Sequence, residues 1–279
     1  MKSGTTSLWQ YLNAHPDIYM CYPKEPGFFV EELNWSKGWD WYEALFSEAD
    51  SAGAIGEAST HYTKFPIHQD VPNKIAKYLP DAKFIYVMRE PIARAVSHYW
   101  HMFHYWHETR PMLKAVRNDP QYVAYSSYAL QLEQYLPFFS LDRFYLTTFE
   151  RLKAQPRDVV KECYDFIGVD PEFVPVELGE VHNKGPQHLR RTRGFVHRVR
   201  WSPWWTTIAP LVPQRFKELG KRLEFTRMER PHETPKEVIE HLRPIFDVEN
   251  ERLFQLIGKR FNEWTRERVP SALVSGAAK

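Results

Sequence analysis

Residues 83–99 read Lys83-Phe84-Ile85-Tyr86-Val87-Met88-Arg89-Glu90-Pro91-Ile92-Ala93-Arg94-Ala95-Val96-Ser97-His98-Tyr99. Within the first six residues Phe84-Ile85-Tyr86-Val87 are β-branched or aromatic, and the run is bounded by Pro80-Asp81 and Pro91, which predicts a buried strand. Pro91 stands where a helix begins, and the spacing carries that helix from Ile92 to His107. Arg89 therefore falls at the carboxyl end of a strand. In sheets of this kind ligands bind outside the carboxyl ends of the strands.

Other strands and helices alternate around this unit. Strands are expected at Ile18–Cys21, Ala54–Glu57 and Arg143–Thr148. Helices are expected at Thr6–Ala14, Trp39–Phe46, Asp70–Leu79, Gln121–Phe139, Pro156–Ile167, Gln214–Leu223 and Pro235–Phe261. The alternation predicts an α/β fold with a central parallel sheet flanked by helices in three layers. Three strand ends become candidate ligand positions: the one before Lys2, the one at Glu57 and the one at Arg89. A strand feeding the turn at Lys2 is missing from the sequence, so the first strand reads as truncated, and an upstream targeting segment remains compatible with the chain.

The second informative stretch is Lys2-Ser3-Gly4-Thr5-Thr6-Ser7-Leu8. A small, hydroxyl-rich turn opening a helix presents backbone N–H groups and a favourable dipole to an anion. Ser3, Thr5, Thr6 and Ser7 add hydroxyl donors, and Lys2 adds positive charge. The same residues could also form a plain helix-capping turn. The string is not a Walker loop, in which Lys follows the second Gly and a hydroxyl sits on magnesium. No Walker B aspartate is evident either, so a metal-free phosphate site fits better. Downstream, Arg89 offers a guanidinium fork, and Ser97, on the first turns of the next helix, offers a hydroxyl that can turn back toward it. Two separate anion-binding elements imply a ligand carrying two separated phosphate groups.

These two elements, in this order, resemble those of the sulfotransferases that use 3′-phosphoadenosine 5′-phosphosulfate (PAPS). The likeness is greatest to the glycan (heparan sulfate-type) and bacterial branches. Agreement extends to Lys24-Glu25-Pro26-Gly27-Phe28-Phe29, Gly38-Trp39-Asp40-Trp41-Tyr42, Gly56-Glu57-Ala58-Ser59-Thr60-His61-Tyr62, Ser127-Tyr128 and the stretch Leu242–Phe261, and weakens between Val174 and Met228. The resemblance implies a P-loop-type fold, PAPS as co-substrate and no metal. Lys2 matches the lysine at the bridging oxygen between sulfate and phosphate. Ser3, Gly4, Thr5, Thr6 and Ser7 match the loop around the 5′-phosphate, and Arg89 and Ser97 the 3′-phosphate ligands. Glu25 matches the general base. His61 and His104 are candidates for the histidine that the branch of small cytosolic enzymes uses instead. Lys184 and Gly185 are candidates for a late element that closes over the nucleotide, although Pro186-Gln187-His188 departs from the usual pattern; Arg190 or Arg191 could share that role. The implied reaction moves a sulfuryl group by in-line displacement onto a hydroxyl or amine of a glycan, glycolipid or small molecule. The alternatives are a P-loop small-molecule kinase and a non-catalytic nucleotide-binding protein.

Composition bounds the rest. The chain has 279 residues, 43% hydrophobic and 26% charged, with 37 Lys+Arg against 35 Asp+Glu. This is an ordinary globular composition, large enough for one α/β domain spanning residues 1–279. A net charge of +2 provides no overall field for nucleic acid. Two cysteines make neither a disulfide framework nor a zinc site, which accords with a reducing, cytoplasmic setting. No run of about 18 apolar residues predicts a membrane span. Residues 198–222 combine Trp201, Trp204 and Trp205 with several basic residues. They read as an insertion, an acceptor-site lid or a membrane-surface element. The spacing of His98, His101, His104 and His107 invites a metal reading, but no companion carboxylate or cysteine supports it. Phe28, Phe29, Trp35 and Trp39 fill the core or line an acceptor cleft. Oligomeric state is open.

Overall fold

A computed structural model describes residues 2–49, 51–106, 108–180, 189–191, 225–227 and 234–264. The segment 198–222, together with Lys184, Gly185 and His107, lies outside the described residues, as does the helix expected at Gln214–Leu223.

The elements follow the expected alternation. Helix α1 (Thr5–Asn13) leads to β1 (Ile18–Met20), α2 (Trp39–Ala44), β2 (Ala54–Gly56) and α3 (Val71–Tyr78). Strand β3 (Phe84–Met88) runs into α4 (Pro91–Tyr105), and α5 (Met112–Asn118), α6 (Gln121–Ala124) and α7 (Tyr128–Glu133) follow. Strand β4 (Phe144–Thr148) then feeds α8 (Phe149–Ala154) and α9 (Pro156–Ile167). Short strands β5 (Leu189–Arg191) and β6 (Phe225–Arg227) precede the long helix α10 (Lys236–Ile257).

Strand pairing is parallel where the site is built. β1 pairs with β2, Ile18 opposite Ala54, and β3 pairs with β4 from Phe84 opposite Phe144 to Met88 opposite Thr148. Among the described residues the two pairs are not hydrogen-bonded to one another, but they share one core in which Ile18 and Met20 pack with Val87, Leu8, Leu12, Val160 and Tyr164. β5 and β6 pair antiparallel, and β5 lies beside α4.

The strand-to-helix turn at Arg89 follows from local chemistry. Glu90 caps α4, its carboxylate accepting the N–H groups of Ile92 (3.1 Å) and Ala93 (2.6 Å), and Pro91 occupies the first turn, where its missing N–H costs nothing.

One expected helix, Gln121–Phe139, is broken. Its first piece ends at Ala124 and the second starts at Tyr128. The buried Arg94 side chain donates from Nη2 to the Tyr122 carbonyl (2.8 Å) and from Nε to Ser126 Oγ. Ser126 Oγ in turn reaches back to the Pro91 carbonyl (3.2 Å). A carbonyl held by a guanidinium is no longer the helix's own acceptor, so the ladder stops there. Two further helices, α5 and α8, have no counterpart in the sequence reading. The aromatic cluster also differs from an acceptor cleft at two positions. Phe28 and Phe29 are each 1% exposed; Phe28 stacks on Tyr42, and both pack among core aromatics. Trp35 and Trp39 are partly buried against Tyr78.

Candidate active site

Gly4 caps α1 in a left-handed conformation (φ 76°), and Lys2 is also left-handed (φ 66°). A Cβ at Gly4 would meet Phe149 Cδ2 at 2.8 Å, so glycine is required both for the turn and for the close approach of α8. No side chain caps α1. Its opening N–H groups and the half-buried Thr5 and Thr6 are therefore available to an anion. Ser3 is buried, and Ser7 hydrogen-bonds to Tyr11 one turn on.

The downstream element meets this loop directly. Arg89 Nη1 donates to the Lys2 carbonyl (3.2 Å), and the guanidinium stands 5.0 Å from the Phe149 ring centroid. The Arg89 backbone is pinned by one side chain, because the Tyr128 hydroxyl accepts its N–H (3.0 Å) and donates to its C=O (2.7 Å). Glu150 accepts the next N–H, from Glu90 (3.1 Å), and the Trp264 indole N–H (3.2 Å). Burial lowers the Arg89 pKa, with the nearby Glu150 charge opposing the shift. Its Nε is buried and has no hydrogen-bond partner among the described residues. Ser97 lies two turns into α4, half-buried, with no hydrogen bond to a described residue.

Glu25 sits on the irregular segment between β1 and α2, again with left-handed backbone (φ 64°). Its carboxylate accepts from Lys24 Nζ (2.9 Å) on one oxygen and from Thr60 Oγ1 (2.8 Å) on the other. Burial alone would raise its pKa, but Lys24, Thr60 and the neighbouring His61 outweigh it and hold the carboxyl below the usual range. Glu25 is therefore ionised at neutral pH and able to accept a proton.

His61 is pushed down to about 4 by burial and by Lys64, so it is neutral at pH 7. His101 falls to about 4 through burial and the charges of Lys2 and Lys64, while Glu25 opposes them. Lys2, Glu25, Lys64 and His101 thus lie within electrostatic reach of one another. The Lys2–Ser7 loop, the Glu25 segment and α4 supply the residues of the candidate site.

Not every candidate belongs there. His98 is buried between Tyr122 and Tyr125, which together with Arg94 pushes it to about 2. His104 is buried beside Trp100 and Phe103. No group of histidines, cysteines and carboxylates among the described residues is arranged to hold a metal. Arg190 and Arg191 lie on β5, whose backbone approaches α4. Lys64 and Glu150 escaped the sequence reading, and Tyr128 entered it without a role. Their roles depend on contacts across the fold, and only the Ser127-Tyr128 pair left a signal in the motif pattern.

Comparison with known proteins places the chain in a family. Residues 1–184 match the sulfotransferase domain family. The chain is 26% identical to heparan sulfate glucosamine 3-O-sulfotransferase 6 of Mus musculus, over 93% of this chain and 70% of that protein. It is 27% identical to the bifunctional heparan sulfate N-deacetylase/N-sulfotransferase 4 of Mus musculus, over 62% of this chain but only 22% of that larger protein. The crystal structure of a sulfotransferase from Alicyclobacillus acidocaldarius superposes with a TM-score of 0.67 at 25% identity, covering 94% of both chains. With a phosphate-type loop, a second basic strand end bonded to it and a domain match over the same residues, the chain belongs to the sulfotransferase family and is a sulfotransferase enzyme.

Proposed function

We propose that this enzyme transfers a sulfuryl group from PAPS to a hydroxyl or amine of a glycan-type acceptor, with Glu25 as general base. The observation that carries the reading is the Arg89–Lys2 hydrogen bond, which brings the two proposed anion-binding elements side by side. The residues present suit a doubly phosphorylated nucleotide. Among the described residues the buried Arg89 Nε has no partner, the Ser97 hydroxyl is unengaged, and no side chain caps the α1 N-terminus. The glycan class of acceptor is supported by the names of the relatives, which act on heparan sulfate.

PAPS, when bound, supplies an activated sulfuryl group on an adenosine bisphosphate leaving group. In this reading Arg89 and Ser97 hold the 3′-phosphate. The N–H groups opening α1, with the Ser3, Thr5, Thr6 and Ser7 hydroxyls around them, hold the 5′ end. Lys2 places positive charge where negative charge develops on the leaving oxygen, which favours the transition state over the ground state. Glu25 takes the acceptor's proton as its oxygen or nitrogen attacks. The ionised, hydrogen-bonded state of Glu25 keeps it ready for this role across neutral pH. Lys184 and Gly185 remain the proposed closing element.

Glu25→Gln tests the assignment. It keeps the size of the side chain and its hydrogen bond with Thr60, but it cannot accept a proton. Calorimetric affinity for PAP is expected to match the wild type, while transfer from radiolabelled PAPS to heparan-type oligosaccharides falls by about 10²–10⁴-fold. Undiminished transfer would place the base elsewhere.

A further inference from the structure

The segment carrying Glu25 has no helix or strand over residues 21–34, and contacts from outside help to set its shape. Two of these come from a short stretch just beyond β2. Ser59 Oγ accepts the Gly27 N–H (2.8 Å) and donates to Glu57 Oε2 (2.7 Å). The Tyr62 hydroxyl accepts the Phe29 N–H (3.4 Å) and donates to Glu57 Oε1. Between them, Thr60 donates to Glu25 itself. One carboxylate thus anchors both hydroxyls that clamp the base's backbone, on the same turn that holds the base's side chain.

A hydroxyl has one proton. With Glu57 ionised, both protons point at its oxygens, and both hydroxyls offer lone pairs to the N–H groups of the segment. With Glu57 protonated, one of its oxygens becomes a donor. The hydroxyl facing it then accepts that proton instead of donating its own, and its bridge to the N–H is no longer backed by a bond to a charged carboxylate. That bridge is weakened.

We propose that Glu57 is a positioning residue for Glu25: its ionised carboxylate fixes residues 25–29 through Ser59 and Tyr62, and its protonation loosens that segment and lowers turnover. The proposal rests on Glu25 being the base. Burial raises the Glu57 pKa to about 7, although Tyr62, Ser59, Tyr42 and the Lys24 charge all pull it down. The other titratable groups facing it are Tyr42 on α2, Cys21 and Lys24 after β1, Tyr62 on its own stretch, and Tyr135 beyond α7. Cys21 is pushed up to about 12, and the three tyrosines are pushed well above their usual range. None of these four ionises near neutrality. The clamp is therefore at full strength above about pH 7 and weakens as pH falls through it.

The test is amide hydrogen exchange at Gly27 and Phe29, read by NMR on the intact protein from pH 5.5 to 8.5, with PAP affinity as the control for folding. After correction for intrinsic exchange, wild-type protection is expected to rise about tenfold through pH 7, the size of one neutral hydrogen bond gained. Glu57→Gln carries one acceptor and one donor, so it imitates the protonated form. It is expected to bind PAP normally, show low and pH-independent protection, and lose the acid limb of turnover. Ser59→Ala removes one bridge and serves as the second variant, with reduced protection at Gly27 and unchanged protection at Phe29. Flat protection in the wild type, or an unchanged profile in Glu57→Gln and Ser59→Ala, overturns the proposal. If the clamp behaves as described but Glu25→Gln keeps full turnover, the failure lies in the assignment of the base.

Discussion

Replacing Arg89 by Met tests the proposed contact with a 3′-phosphate. Arg89 uses Nη1 on the Lys2 carbonyl, while among the described residues the buried Nε has no partner and Nη2 makes no hydrogen bond. Two donors are therefore available to an anion, in the planar fork that suits a phosphate. Each charge-assisted bond contributes about 1.5–3 kcal/mol. Losing both should weaken PAP by about 10²–10⁴-fold, at about 1.4 kcal/mol per factor of ten. Folding stability should change little. The lost bond to Lys2 is offset by removing a cation that burial already disfavours. The assay is calorimetry with PAP and with adenosine 5′-monophosphate, which lacks the 3′-phosphate. The wild type should favour PAP strongly, and Arg89→Met should bind the two nearly alike. A variant that folds normally and keeps the wild-type preference for PAP would refute the reasoning, because the 3′-phosphate would then be read by other residues.

Two further outcomes follow from the geometry. Gly4→Ala forces a left-handed alanine, costing about 1–2 kcal/mol, and brings its Cβ to 2.8 Å from Phe149. Its thermal midpoint should fall by several degrees in calorimetry and PAP affinity should drop with it. Cys21 and Cys163 are both fully buried, and burial pushes both thiols up, Cys21 to about 12. An aromatic disulfide reagent should leave both untouched in the native protein at pH 8 and titrate both in denaturant, whereas rapid native labelling would contradict the packing.

The local elements of the site were legible because their signals are local. The β-branched run before Pro91 specified β3, and Glu90-Pro91 specified the start of α4. The small hydroxyl residues after Lys2 marked a turn that opens a helix. The resemblance carried by these motifs named the family that the domain match then showed. The break between α6 and α7 was not legible, because it depends on Arg94 arriving from α4 to take the Tyr122 carbonyl. Phe28 and Phe29 illustrate the same limit. An aromatic pair suits a sugar-binding face or a core equally well, and only the packing with Tyr42 selects the core.

The sequence by itself determined which side chains are proposed to grip phosphate and which helices and strands present them, since backbone propensity and turn chemistry act over a few residues. Tertiary structure alone decided that Arg89 reaches the Lys2 carbonyl, that Tyr128 pins its backbone, and that Glu57 lies beneath the segment bearing Glu25. Those contacts join residues far apart in the chain. Burial then sets the charge states, because the cost of desolvating a carboxylate or a guanidinium depends on what surrounds it in space.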